Sequence, residues 1–151
     1  MNIAICYLSQ HHGNTRKVVQ AMAQGQGVDL IDITAAETAD LSAYDLVGFA
    51  SGIYAFEFSP QAVQFLKDNL PQGKPVFFVY TYGGLRGTGC KHAVAAAREK
   101  DCPVLGEFSC RGYVTYGPFR LIGGAGKDRP NQEDLARAQA FFRDLVRRAA
   151  P

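Results

Sequence analysis

The chain predicts an α/β fold, a doubly wound five-stranded parallel sheet with helices on both faces. Three observations carry that expectation. Five short apolar runs alternate with amphipathic segments. The connectors between them are short. The first, third and fourth runs are nearly continuous in apolar character, as strands covered on both faces must be.

Each element has its own signal. Residues Ile3–Leu8 read as the first strand, and Thr15–Ala23 as a helix that Gly25 and Gly27 stop. A second strand spans Val28–Ile33, followed by residues 34–44, too short and mixed for more than one helical turn. The third strand covers Asp45–Ser51. Ser59 and Pro60 open a helix over Gln61–Leu70 as N-cap and first-turn residue, and Pro71 and Gly73 close it. Val76–Tyr82 reads as the fourth strand, Lys91–Lys100 as an Ala-rich helix and Val104–Cys110 as the fifth strand. Last comes a helix whose start, Asn131 with Asp134 three residues on, resembles a capping box. Its apolar stripe is Leu135, Ala138, Phe142 and Leu145, and Arg143, Arg147 and Arg148 suit the negative end of its dipole.

At 151 residues the chain is expected to be one domain with a full core. Its 47% hydrophobic and 20% charged content is that of an ordinary soluble globule, and a net charge of +2 does not point to nucleic acid. Four cysteines, Cys6, Cys90, Cys102 and Cys110, form no C-x-x-C pair and no zinc spacing, so reduced thiols in a cytoplasmic protein are expected. No basic-then-apolar leader pattern and no apolar run of membrane-spanning length occurs, so no membrane partner is expected.

Right-handed crossovers place every strand-to-helix turn on one edge of the sheet, where ligands of such folds bind. The first turn runs Ser9-Gln10-His11-His12-Gly13-Asn14-Thr15 into a helix, whose unpaired N–H groups and positive dipole end suit a phosphate. The competing reading is a turn merely capped by Asn14 or Thr15. It is neither a Walker loop, lacking Gly-Lys-Ser/Thr, nor a dinucleotide fingerprint, having Gly13 alone. His11 and His12 have no carboxylate or Cys at ligand spacing nearby, which argues against a metal. The second turn, Ser51-Gly52-Ile53-Tyr54-Ala55-Phe56-Glu57-Phe58, is unusually aromatic. The third, Thr81-Tyr82-Gly83-Gly84-Leu85-Arg86-Gly87-Thr88-Gly89, places four glycines beside an aromatic. Glycine admits close backbone approach and aromatics stack on flat rings, so both suit a planar heteroaromatic ligand. The alternative is that Tyr54, Phe56 and Phe58 pack as core at the sheet edge.

On these residues the chain resembles the flavodoxins, small FMN-binding electron carriers. Ser9 through Thr15 is similar to their phosphate loop, with one extra residue and two histidines; Ser51–Glu57 is similar to the loop after their third strand, and Thr81-Tyr82-Gly83 to the start of the loop after the fourth. The resemblance implies a flavodoxin-like fold with FMN as cofactor. It implies that Ser9, His11, His12, Gly13, Asn14 and Thr15 hold the phosphate. Ser51, Gly52, Ile53, Tyr54, Ala55 and Phe56 would flank the ring, with Tyr54 stacking on it and a reorienting peptide near Tyr54-Ala55. Thr81, Tyr82, Gly83 and Gly84 would line its other edge.

Three departures from the family follow. An aromatic that covers the outer flavin face in many members is here Gly84. The stretch Cys110–Arg129 shows no clear element, and Tyr113 or Tyr116 is expected to reach over the ring from it. The rim carries Arg86, Lys91, Arg111, Arg120, Lys127 and Arg129 against Glu57 and Asp128, where flavodoxins are acidic. A positive rim attracts acidic partners and favours reduced, anionic flavin. The expected function is therefore electron transfer through bound FMN to a redox partner protein. The alternative is an FMN-dependent reductase passing electrons from NAD(P)H to a quinone-type acceptor. No residue is expected to act as a catalytic acid or base.

Overall fold

The computed structural model describes residues 1–115 and 117–151, with only the backbone of Gly117 and Pro118. In chain order the elements are β1 (Ile3–Leu8), α1 (Asn14–Ala23), β2 (Asp29–Asp32), β3 (Leu46–Tyr54), β4 (Glu57–Phe58), α2 (Pro60–Asn69), β5 (Val76–Tyr82), α3 (Lys91–Glu99), β6 (Val104–Arg111) and α4 (Gln132–Ala149). Five strands form a parallel sheet in the order β2-β1-β3-β5-β6, and β4 pairs antiparallel with the end of β3. The expected five-stranded α/β fold is therefore present, with one short strand added.

Alternation along the strands explains the two layers. Cys6, Leu8, Phe49, Phe78 and Tyr80 face one side, where they pack with Phe65 and Leu66 of α2 and Ala93 and Ala97 of α3. Ile5, Tyr7, Ala50, Phe77 and Val79 face the other, with Val18 and Val19 of α1 and Phe142 and Leu145 of α4. Gly48 makes room inside β3: a Cβ there would stand 2.4 Å from the Phe77 ring.

Local signals set the helix ends. Ser59 caps α2 by accepting the Ala62 N–H, with proline in the first turn. Asn131 and Asp134 form the capping box of α4. Residues 34–44 hold only turns and bends, as their length suggested. The four cysteines are buried and unpaired, and burial pushes the Cys6 and Cys110 thiols up to about 12. Among the described residues no helix is long and apolar enough to cross a membrane.

Three expectations are corrected. The third strand, expected to end at Ser51, runs on to Tyr54 and turns back as a hairpin, so Gly52–Tyr54 is strand rather than loop. The stretch Cys110–Arg129 is not featureless: it carries a 3-10 helix at Gly117–Ile122, and Val114 bridges to Ala125. Neither Asn14 nor Thr15 caps α1; the cap is Gly13, in the left-handed region, with no side-chain hydrogen bond.

Candidate functional site

The strand order reverses direction between β1 and β3, and the loops leaving their carboxyl ends diverge there. Ligands of open α/β sheets bind at such a switch point. Entering α1, His12 (φ 55°) and Gly13 (φ 66°) both take left-handed conformations. The Asn14 N–H reaches back to the His11 carbonyl, and the Arg16 N–H donates to Ser9 Oγ at 3.1 Å. Among the described residues the N–H groups of Gly13 and Thr15 have no acceptor, and a Cβ on Gly13 would meet nothing within 4 Å. Open donors at a helix N-terminus are what an anion needs.

The side chains of this loop work at longer range than their sequence positions suggest. Asn14 donates to the Tyr113 carbonyl at 2.8 Å and accepts the Tyr113 N–H at 3.1 Å. Gly112 allows this approach, since a Cβ there would stand 2.6 Å from Asn14 Nδ2. The Thr15 hydroxyl meets that of Thr81 at 3.0 Å, tying α1 to the end of β5. His11 Nε2 accepts the Thr115 N–H at 3.1 Å, and His12 Nε2 pairs with Thr115 Oγ1 at 2.9 Å. Accepting at Nε2 requires neutral His11 with its proton on Nδ1. Burial, then the neighbouring His12, pushes its pKa down and keeps it neutral. Replacing Asn14 by Ala removes both bonds to Tyr113; the expected cost is about 2 kcal/mol, read as a lower melting temperature with faster amide exchange at Tyr113.

The second turn is a two-residue hairpin through Ala55 (φ 48°) and Phe56 (φ 68°). Side chains at both positive-φ sites are strained, since such turns ordinarily take Gly, Asn or Asp. The Phe56 carbonyl accepts the Thr88 N–H at 2.8 Å and the Thr88 hydroxyl at 3.3 Å, which holds the turn to the third loop. Tyr54 lies back over Gly52, where a Cβ would be 2.9 Å from its ring, and its hydroxyl accepts the Gln10 N–H at 3.3 Å. Ser51 is buried, donating to the Gly52 carbonyl and accepting the Ser59 N–H.

In the third loop Arg111 donates twice to the Gly83 carbonyl, at 3.2 and 3.1 Å, and the Arg86 guanidinium lies 5.2 Å from the Tyr82 ring centre. Val114 packs on Gly83 and Phe119 on Gly84; a Cβ at either glycine would meet them at 2.4 and 3.0 Å.

Together these loops enclose a cleft of about 10 Å³ lined by His11, Asn14, Thr15, Gly52, Ile53, Tyr54, Thr81, Tyr82, Gly83 and Val114. Ser9, His12, Gly13, Ser51, Ala55, Phe56 and Gly84 stand outside its lining, and Tyr116 lies outside the described residues. Tyr113 lies tilted against His12 with ring centres 4.3 Å apart, at the α1 end of the site, and the aromatic standing against Gly84 is Phe119. One expectation changes. Arg129 is no free rim cation: it pairs with Asp134 at 2.6 Å. Val114 and Phe119 carried no local signal, because their partners Gly83 and Gly84 are about thirty residues away along the chain. A wider groove of about 850 Å³ opens between α3 and β6; it shares only the 86–89 segment with this loop cluster, and there Cys90 donates its thiol hydrogen to Glu107.

Known proteins share this fold. Residues 4–95 match the family model described as a flavodoxin domain. An uncharacterized protein of Methanocaldococcus jannaschii is 33% identical over 150 residues, spanning 97% of this chain and 99% of that one. Among solved structures, oxidised Flavodoxin 2 from Bacillus cereus superposes with a TM-score of 0.72 at 17% identity, covering 98% of this chain and 99% of that one. A flavodoxin from the domain Archaea gives 0.71 at 16% identity, with 97% and 98% covered. Rubredoxin oxygen:oxidoreductase from Desulfovibrio gigas gives 0.71 at 16% identity, but this chain spans only 36% of its length. The chain belongs to the flavodoxin-domain family.

Proposed function

We propose that the chain binds FMN on this edge and carries electrons through it to a redox partner protein. One observation supports the reading above others: unbonded N–H groups at the α1 N-terminus stand beside a cleft walled by two glycines, Gly52 and Gly83. The phosphate end fits as it stands, with the N–H groups of Gly13 and Thr15 as donors and the helix dipole favouring negative charge. The ring end fits once Tyr54 turns off Gly52, because at about 10 Å³ the cleft holds little more than a water molecule. Tyr54 would then lie on the ring, while Val114 and Phe119 close the side formed by Gly83 and Gly84. Arg111 engages the Gly83 carbonyl with two donors. When bound, the flavin supplies the redox chemistry; the chain supplies anchorage, a flat slot and shielding from water. Four buried, unpaired thiols suit a cytoplasmic setting.

Fluorescence titration of the purified chain tests this. FMN is expected to bind one to one and about 100-fold tighter than riboflavin, the difference being the phosphate at α1. Equal affinity for the two would overturn the phosphate placement, and no binding would overturn the cofactor. Anaerobic NADH or NADPH is expected to leave the loaded protein yellow; prompt bleaching without a partner would make it a reductase instead.

A further inference from the structure

Exposed apolar side chains gather on the same edge. Phe56 is 65% exposed, Leu85 70%, Leu121 90% and Ile122 74%; among the described residues the other exposed large apolar side chain is Met1, less open at 47% and at the opposite end of the strands. The four lie on three loops in mutual contact. Thr88 holds the Phe56 carbonyl, Gly84 stands against Phe119, and the Phe119 carbonyl accepts the Gly124 N–H at 2.7 Å. A rim of this kind exposes apolar surface at a cost in solubility, which points to a contact face.

The charge around it is positive. Arg86, Arg120 and Lys127 are exposed on the same loops, with Lys91 at the start of α3. Against them stand Asp128 and Glu57, and Glu57 lies 4.0 Å from His92. Apolar contact supplies affinity, and a ring of one charge selects the partner's sign and speeds encounter. We infer that Phe56, Leu85, Leu121 and Ile122, flanked by Arg86, Arg120 and Lys127, form the docking face for an acidic electron-transfer protein. The inference rests on the FMN reading for its purpose, because a partner seated on Phe56 and Leu85 lies beside the two loops that wall the cleft. Its binding readout does not need flavin.

The test is an NMR titration of the isotope-labelled chain with an acidic [2Fe–2S] ferredoxin, with basic cytochrome c and with phosphatidylglycerol vesicles as counter-probes. Ferredoxin is expected to perturb the amides of Phe56, Leu85 and residues 119–122, binding about tenfold tighter at about 20 mM salt than at about 200 mM. The double variants R120E/K127E and L121S/I122S should each weaken that binding about tenfold while the FMN titration stays unchanged. Preference for cytochrome c, binding to vesicles without ferredoxin, or a ferredoxin response unmoved by both variants would each overturn the docking face. A chain that docks ferredoxin but takes no FMN would sink the proposed cofactor and leave this face standing.

Discussion

Replacing Gly87 by Ala is expected to cost about 3 kcal/mol of stability, lowering the melting temperature by about 6–12 °C, and to weaken FMN binding with it. The reason is a backbone-to-backbone approach. A Cβ on Gly87 would stand 2.0 Å from the Phe56 carbonyl oxygen, and Gly87 itself has φ +57°. Left-handed backbone costs an L side chain about 1–2 kcal/mol. The overlap cannot be relieved by rotating a side chain, so the two loops must part. Parting them breaks the Thr88 N–H bond to Phe56, whose net worth is about 1 kcal/mol. It also releases the strained Ala55-Phe56 turn from the contact that opposes its relaxation. A thermal melt reads the first effect and an FMN titration the second. Replacing Gly13 by Ala is the informative comparison: its φ is also left-handed, but an added methyl meets nothing within 4 Å, so only the conformational cost should appear. Equal losses at the two positions would show that the loop clamp contributes nothing.

The contrast between these glycines shows what was readable in the chain. Gly13 sits in a local motif, a polar turn between a strand and a helix, and the motif alone marks it. Gly87 and Gly83 owe their necessity to Phe56 and Val114, about thirty residues distant, and no local pattern announces such a partner. The same division runs through the fold. β1 and β5 begin and end where apolar periodicity puts them, and the α4 capping box is a three-residue signal found where expected. The β3–β4 hairpin escaped notice because its turn is Ala55-Phe56, without the Gly, Asn or Asp that ordinarily marks one. Asn14, Thr15 and the two histidines were marked as candidates by position alone. Their present bonds, to Tyr113, Thr81 and Thr115, span 66 to 104 residues and emerge only from the sheet order. Counting cations along the rim failed for Arg129, because formal charge says nothing about which carboxylate a guanidinium reaches.

That carboxylate carries the second large expected effect. Asp134 is the third residue of α4 and only 1% exposed, yet its charge is fully met. Arg129 approaches it with two nitrogens at 2.6 and 2.7 Å, Arg137 with one at 2.8 Å, and the Asn131 N–H donates at 2.8 Å. Burial pushes the carboxyl up, but these hydrogen bonds outweigh it and hold its pKa at about 2. A carboxylate whose pKa is lower folded than unfolded contributes stability above its unfolded value, lost as pH falls through the folded one. The shift from 3.8 to about 2 corresponds to about 2 kcal/mol. Asp134→Asn is therefore expected to destabilise the chain by about 2–3 kcal/mol at neutral pH, since its amide nitrogen faces guanidinium donors and half of the capping box is lost. Urea unfolding across pH checks the assignment. Wild type should lose this increment between about pH 4 and pH 2 while the variant's curve stays flatter there, so that the two converge in acid. A constant gap between them at every pH would mean that Asp134 acts by shape rather than by charge, and the cluster that fixes the start of α4 would need another explanation.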